Sequence, residues 1–334
     1  ADIVSGGELY ASLLAGVEPQ KIVYAGVGKT LKEIEYAINT EILMFNVESR
    51  MELEVLNEVA QRLGKRVRVA IRVNPDVDPK THPYISTGMK KSKFGVDIKQ
   101  AKEEYRYAKN LKNLDVVGIH CHIGSQILDV SPYIEAVEKV MELYNYLIKE
   151  GFEIRYIDIG GGLGIKYKPE QANPEPQDLA DAVLPMLREA KAKLILEPGR
   201  SIVGNSGVLI TQVQFLKDKG HKHFVIVDAG MNDLVRPAMY DAYHHIVPVV
   251  KKEVPYIKTD IVGPICETGD FLALDREVPK VERGDYLAVL SAGAYGFAMS
   301  SHYNVRPRAC EVLVEKGSYR VIRERENYEY IFRR

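Results

Sequence analysis

Through the first two thirds of the chain, short apolar runs alternate with longer stretches whose apolar residues recur every three or four positions. The short runs are Ile3 with Val4, then residues 21–25 (KIVYA), 42–47 (ILMFNV), 67–73 (VRVAIRV), 116–122 (VVGIHCH), 154–159 (IRYIDI) and 193–196 (KLIL). Between them lie SGGELYASLLAG, TLKEIEYAINT, SRMELEVLNEVAQRLG, IKQAKEEYRYAKNL, YIEAVEKVMELYNYLIKEG and DLADAVLPMLREAK, each with an apolar stripe at helical spacing. Ser5 with Glu8, and Thr30 with Glu33, carry the S/T-x-x-E spacing of a capping box and predict helix starts.

Strands in regular alternation with amphipathic helices predict parallel pairing through helical crossovers. The series holds seven strands, enough for an open doubly wound sheet and one short of a (β/α)8 barrel. HIGSQ, GGGLG and EPGR follow the fifth, sixth and seventh strands directly, and barrel enzymes carry their chemistry at such strand ends. The expectation is therefore a barrel, over residues 1–205, whose first strand lies upstream of Ala1. Residues 168–176 (KPEQANPEP) read as a polar loop within it.

Beyond about residue 205 the texture changes. VLITQVQFL, HFVIVDAG, YHHIVPVV, KTDIVGP, DYLAVLSAGAYG and ACEVLVEKGSYRVI are strand-like runs bounded by Gly, Pro and Lys-Gly turns, which predicts an antiparallel β domain over residues 206–334. No internal repeat or low-complexity segment interrupts either part.

Composition narrows the function. A formal net charge of −1 gives no electrostatic grip on nucleic acid or an anionic membrane. No apolar run approaches the ~18–20 residues of a membrane span. Cys121, Cys266 and Cys310 are too few and too scattered for a disulfide framework or a zinc cage, and they fit a reducing cytoplasm.

Several strand-end motifs carry candidate chemistry. Gly160, Gly161 and Gly162 open GGGLG, where successive glycines let backbone N–H groups approach an anion; a tight strand–loop turn would read the same way. The run fits no register of G-x-G-x-x-G, and Gly28-Lys29-Thr30 is no P-loop because Val23 stands where the first glycine belongs. His120 and His122 end a strand on one face, as a metal pair, as a ring stacked on a planar cofactor, or as ordinary buried histidines. Ser125 beside them suits an anion cradle. Glu197 and Arg200 are either a plain salt bridge or an acid for a heterocyclic nitrogen with an arginine for an anion. Arg236 with Tyr240, Cys266 with Glu267, and Tyr295 between small residues complete the set.

Taken in order, HCHIGSQI, YIDIGGGLGI, EPGRSIVGNSG, VDAGMNDLVRPAMYDAYH, GPICETGDFLA and GAYGFAMSSHYN resemble the signatures of the fold-type III, pyridoxal-phosphate-dependent amino-acid decarboxylases over essentially the whole chain. The ornithine and arginine branches share HxGS, GGG and EPGR, whereas RPAMY and CETGD resemble the diaminopimelate branch. The resemblance implies an alanine-racemase-like barrel, pyridoxal phosphate as cofactor, and conversion of meso-2,6-diaminopimelate to L-lysine, the last step of lysine biosynthesis, in the cytoplasm. By the same resemblance His122 stacks on the pyridine ring and Glu197 holds its nitrogen protonated. Ser125, Gly160, Gly161, Gly162, Gly199 and Arg200 surround the phosphate with help from Tyr295, and Arg72 approaches the phenolic oxygen. Arg200, Arg236, Tyr240 and Tyr295 suit the substrate's distal carboxylate, Glu267 its amine, and Cys266 is the proton donor. Buried polar partners of this kind reject analogues lacking them by ~10⁴–10⁵ in favourable cases. In the family Cys266 and Glu267 reach a neighbouring active site, which implies a homodimer.

One family feature is not found. The Schiff-base lysine normally sits in Y-A-x-K-A-N at the end of the first barrel strand, and neither Lys29 nor Lys90, Lys91 or Lys93 matches it. An inactive cofactor-binding homologue is therefore an alternative. A barrel metal hydrolase using His120 and His122 is another, but it leaves GGGLG and EPGR without a task.

Overall fold

Every apolar run anticipated in the first two thirds forms a strand, and each pairs parallel to the next. The computed structural model describes residues 1–79, 81, 87, 88 and 92–333. The chain divides into two units, Ala1–Gly164 with Asn173–Pro198, and Ile165–Ala172 with Gly199–Arg334.

In the first unit the strands are β1 (Asp2–Ile3), β2 (Val23–Tyr24), β3 (Met44–Val47), β4 (Val67–Asn74), β5 (Val96–Asp97), β6 (Leu114–His120), β7 (Tyr156–Asp158) and β8 (Lys193–Ile195). Their order is β1-β2-β3-β4-β6-β7-β8, with β5 paired to the end of β4. β5 carries no apolar signature, being two half-buried residues outside any apolar run. Helices α1 (Gly6–Leu14), α2 (Leu31–Thr40), α3 (Arg50–Arg62), α4 (Ile98–Lys109), α5 (Ser131–Lys149) and α6 (Pro176–Leu187) make the crossovers. Thr30 and Glu33 close a complete capping box, with Glu33 N–H on Thr30 Oγ1 at 3.4 Å and Thr30 N–H on Glu33 Oε2 at 2.9 Å. At α1 only half forms: Ser5 Oγ accepts the Glu8 N–H at 3.1 Å, but the Glu8 carboxylate takes the Val4 N–H.

Period-2 alternation sorts the strand residues into two layers. Ile22, Tyr24, Phe45, Val47, Val69, Ile71, Ile119 and Ile157 pack with the helices, each burial contributing about 1.5–3 kcal/mol. Val23, Met44, Ala70 and Val117 form a second apolar cluster on the other face, with Tyr156 and Ile195 against it. Two residues further along four of these strands that face turns polar: Met44 gives way to Asn46, Ala70 to Arg72, Tyr156 to Asp158 and Ile195 to Glu197. A polar layer thus caps the apolar one at the C-terminal ends of the strands.

The second unit holds α7 (Arg200–Val203), β9 (Leu209–Asp218), β10 (His223–Val227), α8 (Arg236–Tyr240), β11 (Ile246–Pro248), β12 (Tyr256–Val262), β13 (Phe271–Pro279), β14 (Tyr286–Val289), β15 (Glu311–Glu315), β16 (Ser318–Arg323) and α9 (Tyr328–Ile331). Its sheet, ordered β11-β14-β9-β10-β12-β13, buries Val213, Val225, Val227, Ile261, Leu272, Leu287 and Val289. The sheet is not wholly antiparallel, because β10 and β12 run parallel. β13 escaped the sequence pattern because Asp275, Arg276 and Glu277 interrupt its apolar residues. The Lys-Gly turn does join β15 to β16, with Lys316 and Gly317 at φ of 49° and 79°.

Candidate active site

The polar layer of the first unit is built from side chains that the strands aim inward. Arg72 on β4 is buried and pairs with Glu48 at 2.9 Å, while Glu48 also accepts the N–H groups of Gly95 at 2.7 Å and Gly26 at 3.2 Å. Lys29, with its side chain 1% exposed, donates to the Gly26 and Asn46 carbonyls at 2.8 and 3.0 Å and to Glu52 at 2.5 Å. That network explains why Lys29 matches no cofactor-anchoring motif: its ammonium ties β2, β3 and α3 together. Lys90 and Lys91 lie outside the described residues.

β6 ends at His120, so His122 lies beyond the strand, and the two histidines sit in different surroundings. His122 is half-buried and its Nδ1 accepts the Gly161 N–H at 3.2 Å, which leaves the proton on Nε2. Burial, then Arg72 and His120, push its pKa down to about 3, so the ring is neutral and presents a flat face. The turns after β6 and β7 run side by side, Ile127 N–H bonding the Gly162 carbonyl and Gly164 N–H the Ile127 carbonyl, both at 2.9 Å. This pairing brings half-buried Ser125 into the same loop cluster as Gly160, Gly161 and Gly162. A Cβ at Gly161 would run into the Glu197 carbonyl, so this glycine is required by close backbone approach.

Asp158 is fully buried, accepting the Gly160 N–H at 2.9 Å and Asn46 Nδ2 at 3.3 Å. Burial is the main cause that pushes its pKa up, to about 7, and burial likewise raises Glu197. Donor atoms of His120, Asp158 and Glu197 all lie within 4.8 Å of one another. The set differs from the metal pair read from the sequence, since His122 is not part of it. Glu197 Oε1 is buried and has no hydrogen-bond partner among the described residues. A protonated ring nitrogen is the donor such an oxygen lacks, and with a neutral flat imidazole and a glycine turn nearby these residues fit pyridoxal phosphate.

In the second unit Arg200 and Arg236, both buried, gather around Tyr167. Arg200 Nη1 donates to the Tyr167 hydroxyl at 2.6 Å, the Arg200 guanidinium carbon lies 4.8 Å from the Tyr295 ring centroid, and that of Arg236 lies 4.7 Å from the Tyr167 centroid. His244 donates from Nδ1 to the Leu290 carbonyl at 2.9 Å, so its Nε2 is the acceptor for Arg236 Nη1, also at 2.9 Å. RPAMY is the short helix α8, with Tyr240 half-buried at its end. Cys266 and Glu267 are exposed; the thiol contacts the Asn304 amide at 3.3–3.5 Å, and Glu267 accepts the Tyr303 hydroxyl at 2.8 Å. Asp270 fixes this loop by accepting the N–H groups of Met231 and Ile265, both at 2.6 Å.

Sequence reasoning missed Glu48, Asp158, Tyr167, His244, Tyr303 and Asn304. Asp158 carried a usable signal, because I-D-I puts it on the same inward parity as Glu197; Tyr167 and His244 carried none.

A parallel barrel-type sheet with an inward acid, a neutral imidazole and a glycine turn at its strand ends defines a pyridoxal-binding domain. In agreement, residues 1–204 match the family model described as pyridoxal-dependent decarboxylase, pyridoxal binding domain. The chain is 72% identical to the diaminopimelate decarboxylase of Aquifex aeolicus over 331 residues, covering 99% of this chain and 79% of that one. It is 52% identical to that of Neisseria meningitidis over 328 residues, covering 98% and 80%. The crystal structure of diaminopimelate decarboxylase from Helicobacter pylori complexed with L-lysine superimposes with a TM-score of 0.95 at 47% identity, covering 98% and 82%. The chain belongs to the diaminopimelate decarboxylases, which are pyridoxal-phosphate-dependent carboxy-lyases. No described helix is long and apolar enough to cross a membrane.

Proposed function

We propose that the protein removes one carboxylate of meso-2,6-diaminopimelate as carbon dioxide and releases L-lysine, in the cytoplasm and as a homodimer with active sites shared across the interface. The observation that carries the reading is Glu197, a buried acid with an unpartnered oxygen beside a glycine turn, in a chain 72% identical to a diaminopimelate decarboxylase. Pyridoxal phosphate, when bound, supplies the electron sink for the electron pair left at the decarboxylated carbon. In the barrel unit, His122 would stack against the cofactor ring, Glu197 would accept its ring N–H, and Arg72 would serve the phenolic oxygen. Ser125, Gly160, Gly161 and Gly162 hold the phosphate. In the second unit, Gly199, Arg200 and Tyr295 serve the phosphate, while Arg200, Arg236, Tyr240 and Tyr295 take the distal carboxylate and Glu267 the distal amine. The Cys266 thiol returns a proton to the carbon that has lost its carboxylate. Y-A-x-K-A-N is not among these 334 residues, so no lysine of this sequence is assigned the covalent anchor. The family match ending at residue 204 supports a domain boundary near residue 205.

The exposed thiol and the apolar face of the β15–β16 hairpin support the dimer. Val314 is 72% and Tyr319 78% exposed there, and apolar surface of this kind marks association sites. Carbon dioxide release from meso-diaminopimelate by protein supplied with pyridoxal phosphate tests the reaction, with ornithine and arginine as controls. Turnover of ornithine alone would overturn the substrate assignment. Sedimentation equilibrium tests the dimer: Val314→Lys should shift wild-type dimer toward monomer, and a monomeric wild type would refute it.

A further inference from the structure

His120, the first histidine of H-C-H, has no role in the reading above, yet its surroundings are unusual. Its ring is 1% exposed, and neither nitrogen has a hydrogen-bond partner among the described residues. Nε2 nevertheless lies 3.3 Å from Glu197 Oε1, which is itself unpartnered. Leaving such groups unmade costs ~1–3 kcal/mol each, so the arrangement needs a reason.

The charges around it supply one. Arg72 is committed to Glu48, and Lys29 to Glu52. These two pairs cancel. Asp158 and Glu197 remain, close together and buried, and two such carboxylates do not both ionise. One proton between them leaves one negative charge with no cation of its own among the described residues.

We propose that His120 and Asp158 are positioning residues for Glu197. With the cofactor in place His120 turns its Nε2–H, 3.3 Å from Glu197 Oε1 but not bonded to it here, onto that oxygen, and Asp158 gives the shared proton to the same carboxylate. Glu197 thereby stays anionic in a buried place, with a lone pair directed to the ring N–H of the cofactor, whose positive charge balances the layer. This rests on pyridoxal phosphate binding and adds the residues that keep its nitrogen partner charged. The groups facing the triad are consistent with these roles. His120 is held neutral by burial, its pKa down to about 4, with Asp158 and Glu48 opposing the fall and Arg72 and Lys29 adding to it. Glu197 feels Asp158, Arg72 and Glu48, and Asp2 on β1, facing both carboxylates, has its pKa pushed up to about 8 by burial and then by Glu197 and Asp158, so it adds no charge to the count near neutral pH. A neutral imidazole can donate from only one nitrogen, and the one beside an acceptor oxygen is Nε2.

The test compares pyridoxal phosphate with its analogue in which carbon replaces the ring nitrogen. Wild-type protein should bind the cofactor more tightly than the analogue. His120→Phe should weaken cofactor binding by about tenfold or more and leave the analogue unchanged. His120→Gln, whose amide places an N–H near the Nε2 position, should restore most of the loss. Equal weakening of both ligands would assign His120 a merely structural role and overturn the proposal. A wild-type preference that His120→Phe leaves intact would overturn it alone, whereas equal wild-type affinity for the two ligands would overturn the Glu197 reading as well. Histidine-ring ¹⁵N correlation spectra of the cofactor-free wild type decide the matter if His120→Phe does not fold. A neutral Nε2–H ring down to about pH 5 supports the proposal; an Nδ1–H tautomer, or titration near pH 6.5, refutes it.

Discussion

Replacing Lys29 by Met should destabilise the barrel unit by about 3–5 kcal/mol, the cost of removing one partner of a buried ion pair. Met matches the length of the lysine stem, so little packing changes and the loss is polar. Three acceptors lose their donor: the Gly26 and Asn46 carbonyls and Glu52 Oε1. Two orphaned carbonyls cost ~1 kcal/mol or more each, and the carboxylate costs more because its side chain is only 12% exposed. Glu52 has a partial escape, since burial already raises its pKa and the variant would protonate it more readily. Thermal melts by circular dichroism should show a fall of roughly 6–20 °C, at about 2–4 °C per kcal/mol for a domain of this size. The double variant Lys29→Met with Glu52→Gln should recover at least half of the loss, because no charge is then stranded while the Glu48 N–H keeps an acceptor. A single-variant loss under about 1 kcal/mol would refute the reasoning, because it would put the pair among solvent-screened contacts. So would a double variant no more stable than the single one.

Three further outcomes follow from the geometry. Asp158 has a folded pKa near 7, above its ordinary 3.8, so the stability it gives is complete below pH ~4 and is lost as the pH rises through about 7. Asp158→Asn should flatten that slope in urea titrations at successive pH values, and an unchanged slope would count against the assignment. His244 is pushed the other way, down to about 4 by burial, so its contribution is complete above pH ~6.5 and fades as the pH falls toward about 4. His244→Gln should reduce the acid-induced loss of the second unit in the same titrations. Gly161→Ala should cost about 2 kcal/mol or more, because its Cβ meets the Glu197 carbonyl. Gly199→Ala, with nothing within 4 Å of its Cβ, should stay within about 1 kcal/mol by calorimetry.

Much of the architecture was legible because period-2 and period-3.6 patterns are local. Residues 67–73 and 154–159 announce their strands through alternation alone, and Thr30 with Glu33 announces a helix start through one pair of hydrogen bonds. β5 and β13 were not legible, the first because pairing with β4 and not apolar content makes it a strand, the second because charges interrupt it. The candidate site divides in the same way. Glu197 and the glycine run stand at strand ends and could be found by position. Tyr167, whose ring lies beside both Arg200 and Arg236, comes from a loop whose course depends on tertiary contacts. His120 and His122 look equivalent two residues apart, yet β6 ends between them and separates a sealed imidazole from a half-open one.

The glycine turn after β7 touches two other parts of the site at once. Gly161 gives its N–H to His122 and presses its Cα against the Glu197 carbonyl. On the roles proposed above, the stacking ring, the phosphate turn and the acid for the ring nitrogen are therefore gauged against one another by direct contact. Such a site acts as a caliper. A cofactor analogue lengthened by one bond between its ring and its phosphate could satisfy either jaw but not both, and it should bind poorly however well each half is recognised.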